Sequence, residues 1–190
     1  MNKILLDISN KFETPNIILK PYQNGDGGKY YNLLMENKEH LQRTVEEIKE
    51  LKSIEDAEVF IRKRMIDWIA RDRFVLSIYH KTQMIMIGQI WIEPINWEIR
   101  IFEIGYFISK KFQGKGFVKD AINLSCNFIF NELKAKKIEI HTDLINERSW
   151  KLAEKCGFKR EAEIRMRTKL PDGTLDNRLY YGLIRDEFNS

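Results

Sequence analysis

The 190 residues include only two cysteines, three histidines and four prolines, and these shortages exclude several classes of protein before any motif is read. Cys126 and Cys156 stand alone inside helix-like stretches with no CxxC partner, so buried free thiols are expected rather than a disulfide, a zinc site or a nucleophile. His40, His80 and His141 are far apart and lack metal-ligand spacing, which leaves structural roles and no metal. Apolar runs such as Met84 to Ile87 fall far short of the roughly 20 residues that span a bilayer. Lys3 is followed by no signal-peptide apolar region, so a cytoplasmic protein without a membrane partner is expected. Charge of one sign is also missing: 32 basic residues are interleaved with 28 acidic ones, giving a net charge of +4. The stretch Glu46-Glu47-Ile48-Lys49-Glu50-Leu51-Lys52 reads as a solvated helix face, and no basic stripe with interleaved aromatics marks a specific nucleic-acid partner. No repeat, low-complexity segment or Pro/Gly-rich linker divides the chain. With 43% hydrophobic residues, it is expected to form a single domain over residues 1–190.

What is present is a regular succession of elements. Ile17 to Tyr22 reads as a strand, broken by Gly25-Asp26-Gly27-Gly28 before an amphipathic stretch from Lys29 to about Asn37. Ser53, with Asp56 three residues on, reads as the N-cap of a helix reaching about Asp72. Ala57, Phe60, Ile61, Met65, Trp68 and Ile69 are spaced to line one face of that helix. Phe74 to His80, Met84 to Glu93 and Glu98 to Ile108 are β-rich runs that predict an antiparallel meander, with Lys81-Thr82-Gln83 as the first turn. Val118, Ala121, Ile122, Ser125, Phe128 and Ile129 recur at helical steps within Phe117 to Leu133. Lys137 to Asp143 alternates as a half-buried strand, and the strand, helix, strand order there requires a parallel crossover. Asn146 to Cys156 forms a further helix that Gly157 stops. Phe158 to Leu170 and Thr174 to Ile184 form a hairpin around Pro171-Asp172-Gly173-Thr174.

Residues 111 to 118 read Lys-Phe-Gln-Gly-Lys-Gly-Phe-Val, at the junction of a strand and a helix. Glycine has no Cβ to obstruct a close approach, and a helix's first turn offers unpaired N–H groups at a positive dipole end. The motif is therefore either a phosphate cradle or a βα turn that needs glycine for its own geometry.

The order of elements, together with four segments, resembles the GNAT superfamily of acyl-CoA-dependent N-acetyltransferases, and within it the ribosomal-protein (RimJ/RimL-like) branch. The segments are Phe102-Glu103-Ile104-Gly105-Tyr106-Phe107-Ile108, then Phe112-Gln113-Gly114-Lys115-Gly116-Phe117, then Asn146 and Ser149 with Gly157-Phe158, and last the terminal hairpin from Arg165 to Leu179-Tyr180-Tyr181. The match runs from Ile17 to about Phe188. It implies an α/β (α+β) domain with a mixed, mostly antiparallel central sheet, flanking helices and a C-terminal β-hairpin. The sheet would splay between the strand ending near Ile108 and that of Ile138 to Asp143, with acetyl-CoA as co-substrate in the gap. Backbone at Tyr106, Phe107 and Ile108 would pair with the pantetheine amides. N–H groups of Gln113, Gly114, Lys115, Gly116, Phe117 and Val118 would meet the pyrophosphate, with the Lys115 side chain as countercharge. Lys111 departs from the Gln or Arg common three residues before the first glycine; a loop that binds through backbone tolerates this.

Acetyl transfer needs a deprotonated amine, a stabilised carbonyl oxygen and a tolerated thiolate. Backbone N–H near Phe107 suits the second need. The resemblance makes Glu103 a candidate base, and Glu93 a weaker one; the other reading pairs Glu103 with Arg100 or Arg165. Where many members carry a tyrosine proton donor this chain has Ala153, whereas Ser149 matches the serine that the RimL-like branch uses at the thiolate. The other reading makes Ser149 and Asn146 capping groups, with Asn146 a pantetheine contact as well. No Ser-His-Asp or Cys-His set supports an acyl-enzyme, so direct attack in a ternary complex is expected. The acceptor falls to the least patterned regions, about residues 24–72 and 165–174, with Trp68, Trp91 and Trp97 as lining or packing residues. A protein N-terminal amine, a polyamine and an aminoglycoside all fit, as does a catalytically weak acyl-CoA sensor. The chain is expected to be a monomer or a homodimer.

Overall fold

The β-rich runs of residues 74–108 form the predicted antiparallel meander, and the rest of the fold is arranged around it. In the computed structural model, which describes residues 2–42, 45, 47–170 and 172–188, the meander consists of β3 (Phe74–His80), β4 (Ile85–Asn96) and β5 (Ile101–Ile108). Before it come β1 (Phe12–Glu13) and β2 (Ile17–Pro21), and after it β6 (Lys137–Asp143), β7 (Lys159–Lys169) and β8 (Leu175–Ile184). Together they make one eight-stranded sheet in the order β1-β2-β3-β4-β5-β6-β8-β7. β5 and β6 run parallel, and the other neighbouring pairs are antiparallel. The parallel pair needs a crossover, which α5 (Phe117–Asn131) supplies. The mixed α/β architecture and C-terminal hairpin are as the resemblance implies. Pro171, one residue of the expected hairpin turn, lies outside the described residues.

Each face of the sheet has its own apolar cluster. On one side Phe102, Ile104, Ile138 and Ile140 pack with Ala121, Ile122, Phe128 and Ile129 of α5. On the other, Val75, Tyr79 and Phe107 pack with Tyr30 and Leu34 of α1 (Gly27–Glu36) and Ala57 and Ile61 of α4 (Ile54–Ala70). Period-two alternation along β5 assigns its even residues to the first cluster and Phe107 to the second. Trp68 stacks on Phe128 at 5.9 Å and Trp97 meets Phe102 edge-on at 5.0 Å, so these tryptophans serve the core rather than an acceptor pocket.

Several expected boundaries shift. Ser53 Oγ accepts from the Asp56 N–H at 3.0 Å, as a cap should, but α4 stops at Ala70, and Ile69 faces outward at 70% exposure. Gly27 and Gly28 do not break the chain; they open α1. A Cβ on Gly27 would lie 2.6 Å from the Glu58 backbone, so the glycine is what lets α1 and α4 touch. β4 extends to Asn96, and residues 97–100 turn before β5 begins at Ile101 instead of Glu98. The short helices α2 (Lys38–Leu41), α3 (Glu47–Glu50) and α7 (Arg185–Phe188) carry too few residues to show a period in the sequence.

Candidate active site

The parallel pairing between β5 and β6 is short. Ile101, Phe102 and Glu103 face Lys137, Ile138 and Glu139; beyond Glu103 the described strands are no longer paired. β6 stays bonded to β8 through Asp143 and β5 to β4 through Ile108, so a gap opens within the sheet. The Ser109 N–H donates to the Ile87 carbonyl at 2.8 Å, which fixes the alternation of the ladder. Residues 107, 105 and 103 therefore direct their backbone groups at β4, and Ile104, Tyr106 and Ile108 direct theirs into the gap. Pro94, with no N–H to give, stands opposite Phe102, where this alternation needs no bond. The expected N–H donor near Phe107 is thus corrected to Tyr106 or Ile108.

At the mouth of the gap lies the glycine loop. Gly114 and Gly116 hold φ of +72° and +84°, the left-handed region that glycine adopts freely, and a Cβ built on either would have no neighbour within 4 Å. Gly116 is the N-cap of α5, whose first turn leaves the N–H groups of Phe117 and Val118 without helical partners. Gln113 turns its own N–H back to the Lys110 carbonyl at 3.4 Å, so the run of outward N–H groups starts at Gly114. Lys115 Nζ sits over the Phe112 ring at 5.3 Å. The loop is tied to α1 and α2 by Asn37 Oδ1, which accepts from the Lys110 N–H at 2.9 Å, and by His40, 2.7 Å from Gln113 Nε2.

Across the gap, α6 (Glu147–Lys155) starts at Asn146, whose side chain accepts from the Ser149 N–H at 3.3 Å. The capping role of Asn146 is therefore real. Ser149 does not cap: its Oγ lies 3.1 Å from the Tyr106 hydroxyl, linking α6 to β5. Burial pushes the Tyr106 pKa up to about 12, although the hydrogen bond to Ser149 pulls the other way. Arg148 donates to Gln113 Oε1 at 2.8 Å, which links α6 to the glycine loop as well. Ala153 is fully buried, with its side chain in the core.

The opposite face of the sheet carries charge. His141 Nδ1 is 3.2 Å from Glu103 and its Nε2 is 2.8 Å from Glu139, so the partner of Glu103 is His141 rather than Arg100 or Arg165. The Tyr180 ring packs against the imidazole in a tilted arrangement, centroid to centroid 4.3 Å. Burial alone would lower the His141 pKa, but the flanking carboxylates outweigh it and raise the value. Lys137 bonds Glu139 at 2.9 Å, and Arg73 takes Glu93 at 2.8 Å. The side chains of Tyr106, His141, Glu139 and Arg148 escaped the sequence reading. The alternation of Lys137 to Asp143 does put Glu139 and His141 on one face, but nothing local gives the register that brings them to Glu103. Neither cysteine is activated as a thiolate: burial pushes the Cys126 thiol well up and that of Cys156 to about 11.

The geometry has close counterparts. The family profile described as acetyltransferase (GNAT) domain matches residues 16–159. The chain is 30% identical over 103 residues to YdaF of Bacillus subtilis (strain 168), which carries the name of a ribosomal N-acetyltransferase, covering 54% of this chain and 56% of that one. It is 31% identical over 112 residues to the spermidine N(1)-acetyltransferase of Vibrio cholerae, covering 59% and 62%. The chain thus spans a little over half the length of the curated relatives it matches. The solved structure of the RimL ribosomal L7/L12 alpha-N-protein acetyltransferase in complex with coenzyme A superposes with a TM-score of 0.84 over 92% of this chain and 97% of that one, at 18% identity, a likeness of fold. With the profile spanning most of the sheet, the gap and the glycine loop, the chain belongs to the acetyltransferase (GNAT) domain family.

Proposed function

We propose that this chain is an acetyl-CoA-dependent N-acetyltransferase that acylates a primary amine by direct attack within a ternary complex. The observation that carries the reading is the gap: β5 and β6 pair for three residues and then part, with the glycine loop at one end and Ser149 across from Tyr106. The residues fit the co-substrate. Open backbone groups of Tyr106 and Ile108 suit the pantetheine amides, and the N–H groups from Gly114 to Val118, with Lys115, suit a pyrophosphate. Asn146, the N-cap of α6, takes a pantetheine contact in this reading as well as its cap.

Acetyl-CoA supplies an acetyl group activated as a thioester. Glu103, directly or through one water, takes the proton from the incoming ammonium, and His141 holds its carboxylate in place. An N–H of Tyr106 or Ile108 stabilises the carbonyl oxygen, and the Ser149 hydroxyl donates to the departing sulfur. The similarity to a protein named as a ribosomal N-acetyltransferase favours a protein N-terminal amine, and that to a spermidine enzyme keeps a polyamine as the second reading.

The test is thiol release from acetyl-CoA by the purified protein over a panel of N-terminal peptides, polyamines and aminoglycosides. Amine-dependent release is expected for one class. Tight acetyl-CoA binding with no amine-dependent release would replace the enzyme reading with that of a sensor.

A further inference from the structure

One contact across the gap joins two hydroxyls, and which of them donates decides what the serine proton is free to do. Tyr106 and Ser149 are 43 residues apart, on β5 and α6, and their hydroxyls meet at 3.1 Å. The phenol has one proton to donate, and its other acceptor within reach is the Ser149 carbonyl at 3.4 Å. The serine hydroxyl has one proton and two lone pairs. Left to itself in a helix, such a hydroxyl commonly turns back to the carbonyl one turn earlier. A phenol that donates to Ser149 Oγ occupies a lone pair and leaves the serine proton free.

We infer that Tyr106 is a positioning residue: by donating to Ser149 Oγ it aims the Ser149 O–H into the gap, toward the departing sulfur. The inference rests on the reading of Ser149 given above. No proton leaves Tyr106 in this role. The amine nitrogen bonds the acetyl carbon, the C–S bond breaks with its electron pair going to sulfur, and the proton that the nitrogen sheds as the amide forms neutralises the thiolate through solvent, while the serine O–H stays on its oxygen as a hydrogen-bond donor to that sulfur. A phenol held neutral by burial is suited to such a post and would be a poor acid in it.

The experiment compares Tyr106→Phe, Ser149→Ala and the double variant, using acetyl-CoA and the best amine of the panel. Phenylalanine keeps the ring and loses only the hydroxyl. Tyr106→Phe is expected to lower kcat about fivefold to tenfold, the cost of one oriented hydrogen bond, with KM for acetyl-CoA unchanged. In the Ser149→Ala background the same change should have no further effect. An acetyl thioester of a more acidic thiol, whose leaving group needs less help, should shrink the Tyr106→Phe effect toward nothing. Equal losses in both backgrounds would overturn the inference, because the hydroxyl would then act independently of Ser149. It also falls, with the Ser149 role standing, if Ser149→Ala slows turnover and Tyr106→Phe does not. If Ser149→Ala leaves kcat unchanged, the Ser149 role itself is refuted and this inference goes with it.

Discussion

The two faces of the split sheet are built on different principles. The face carrying α5 and α6 presents backbone: open groups of β5, the N–H groups of the glycine loop, and one pair of neutral hydroxyls between Tyr106 and Ser149. The face carrying Glu103, Glu139 and His141 presents charged side chains held by one another. Backbone geometry admits any donor with the right amides and phosphates, whereas a set of charged side chains can be altered residue by residue to suit another acceptor.

Substitutions that touch one face and spare the other sharpen the contrast. Glu103→Gln keeps the shape of the side chain and removes its basicity, so kcat should drop by about 100-fold or more, the usual worth of a general base, while acetyl-CoA affinity holds. A loss of less than about threefold in steady-state turnover would return Glu103 to a purely structural role beside His141. Gly116→Val acts on the other face. A β-branched residue at φ +84° costs about 1–2 kcal/mol in backbone strain and sets methyl groups where phosphate oxygens need the N–H groups, so the Kd for acetyl-CoA should rise at least about tenfold. Calorimetric titration reads it; unaltered affinity would disprove the cradle.

The smallest effect concerns pH. His141 has a raised pKa in the folded chain, so its ion pairs add stability that is fully present below the ordinary histidine value of 6.5 and is lost as pH rises through the higher folded value. His141→Phe keeps a ring against Tyr180 and should remove that part of the pH dependence in denaturant titrations at several pH values. An unchanged difference in stability between acid and neutral pH would show that the imidazole carries no charge between the two glutamates.

The same division decides how much the sequence reveals. The glycine loop, the strand before it and the Asn146/Ser149 helix start were legible because each is a local pattern whose backbone geometry follows from residue type: positive φ at Gly114 and Gly116, alternation along β5, a side-chain cap on α6. Which backbone groups near Phe107 face the gap is not legible in the sequence, which shows how side chains alternate and not which neighbouring strand an N–H serves; Ser109 and Pro94 settle that only once the register is known. The partners of His141, Glu103 and Glu139, are hidden in the sequence because they meet it through a parallel pairing that ends after three residues. Tyr106 was noticed for its backbone alone, since its hydroxyl gains a use only when α6 folds over β5. Gly27 reads as a loop breaker until α4 is packed against it.

Amide hydrogen exchange with and without saturating acetyl-CoA reads whether the gap between β5 and β6 is the acetyl-CoA site. New protection is expected at Tyr106, Ile108 and the stretch from Gly114 to Val118, with β7 and β8 unaffected. Protection elsewhere, with those amides unchanged, would contradict it.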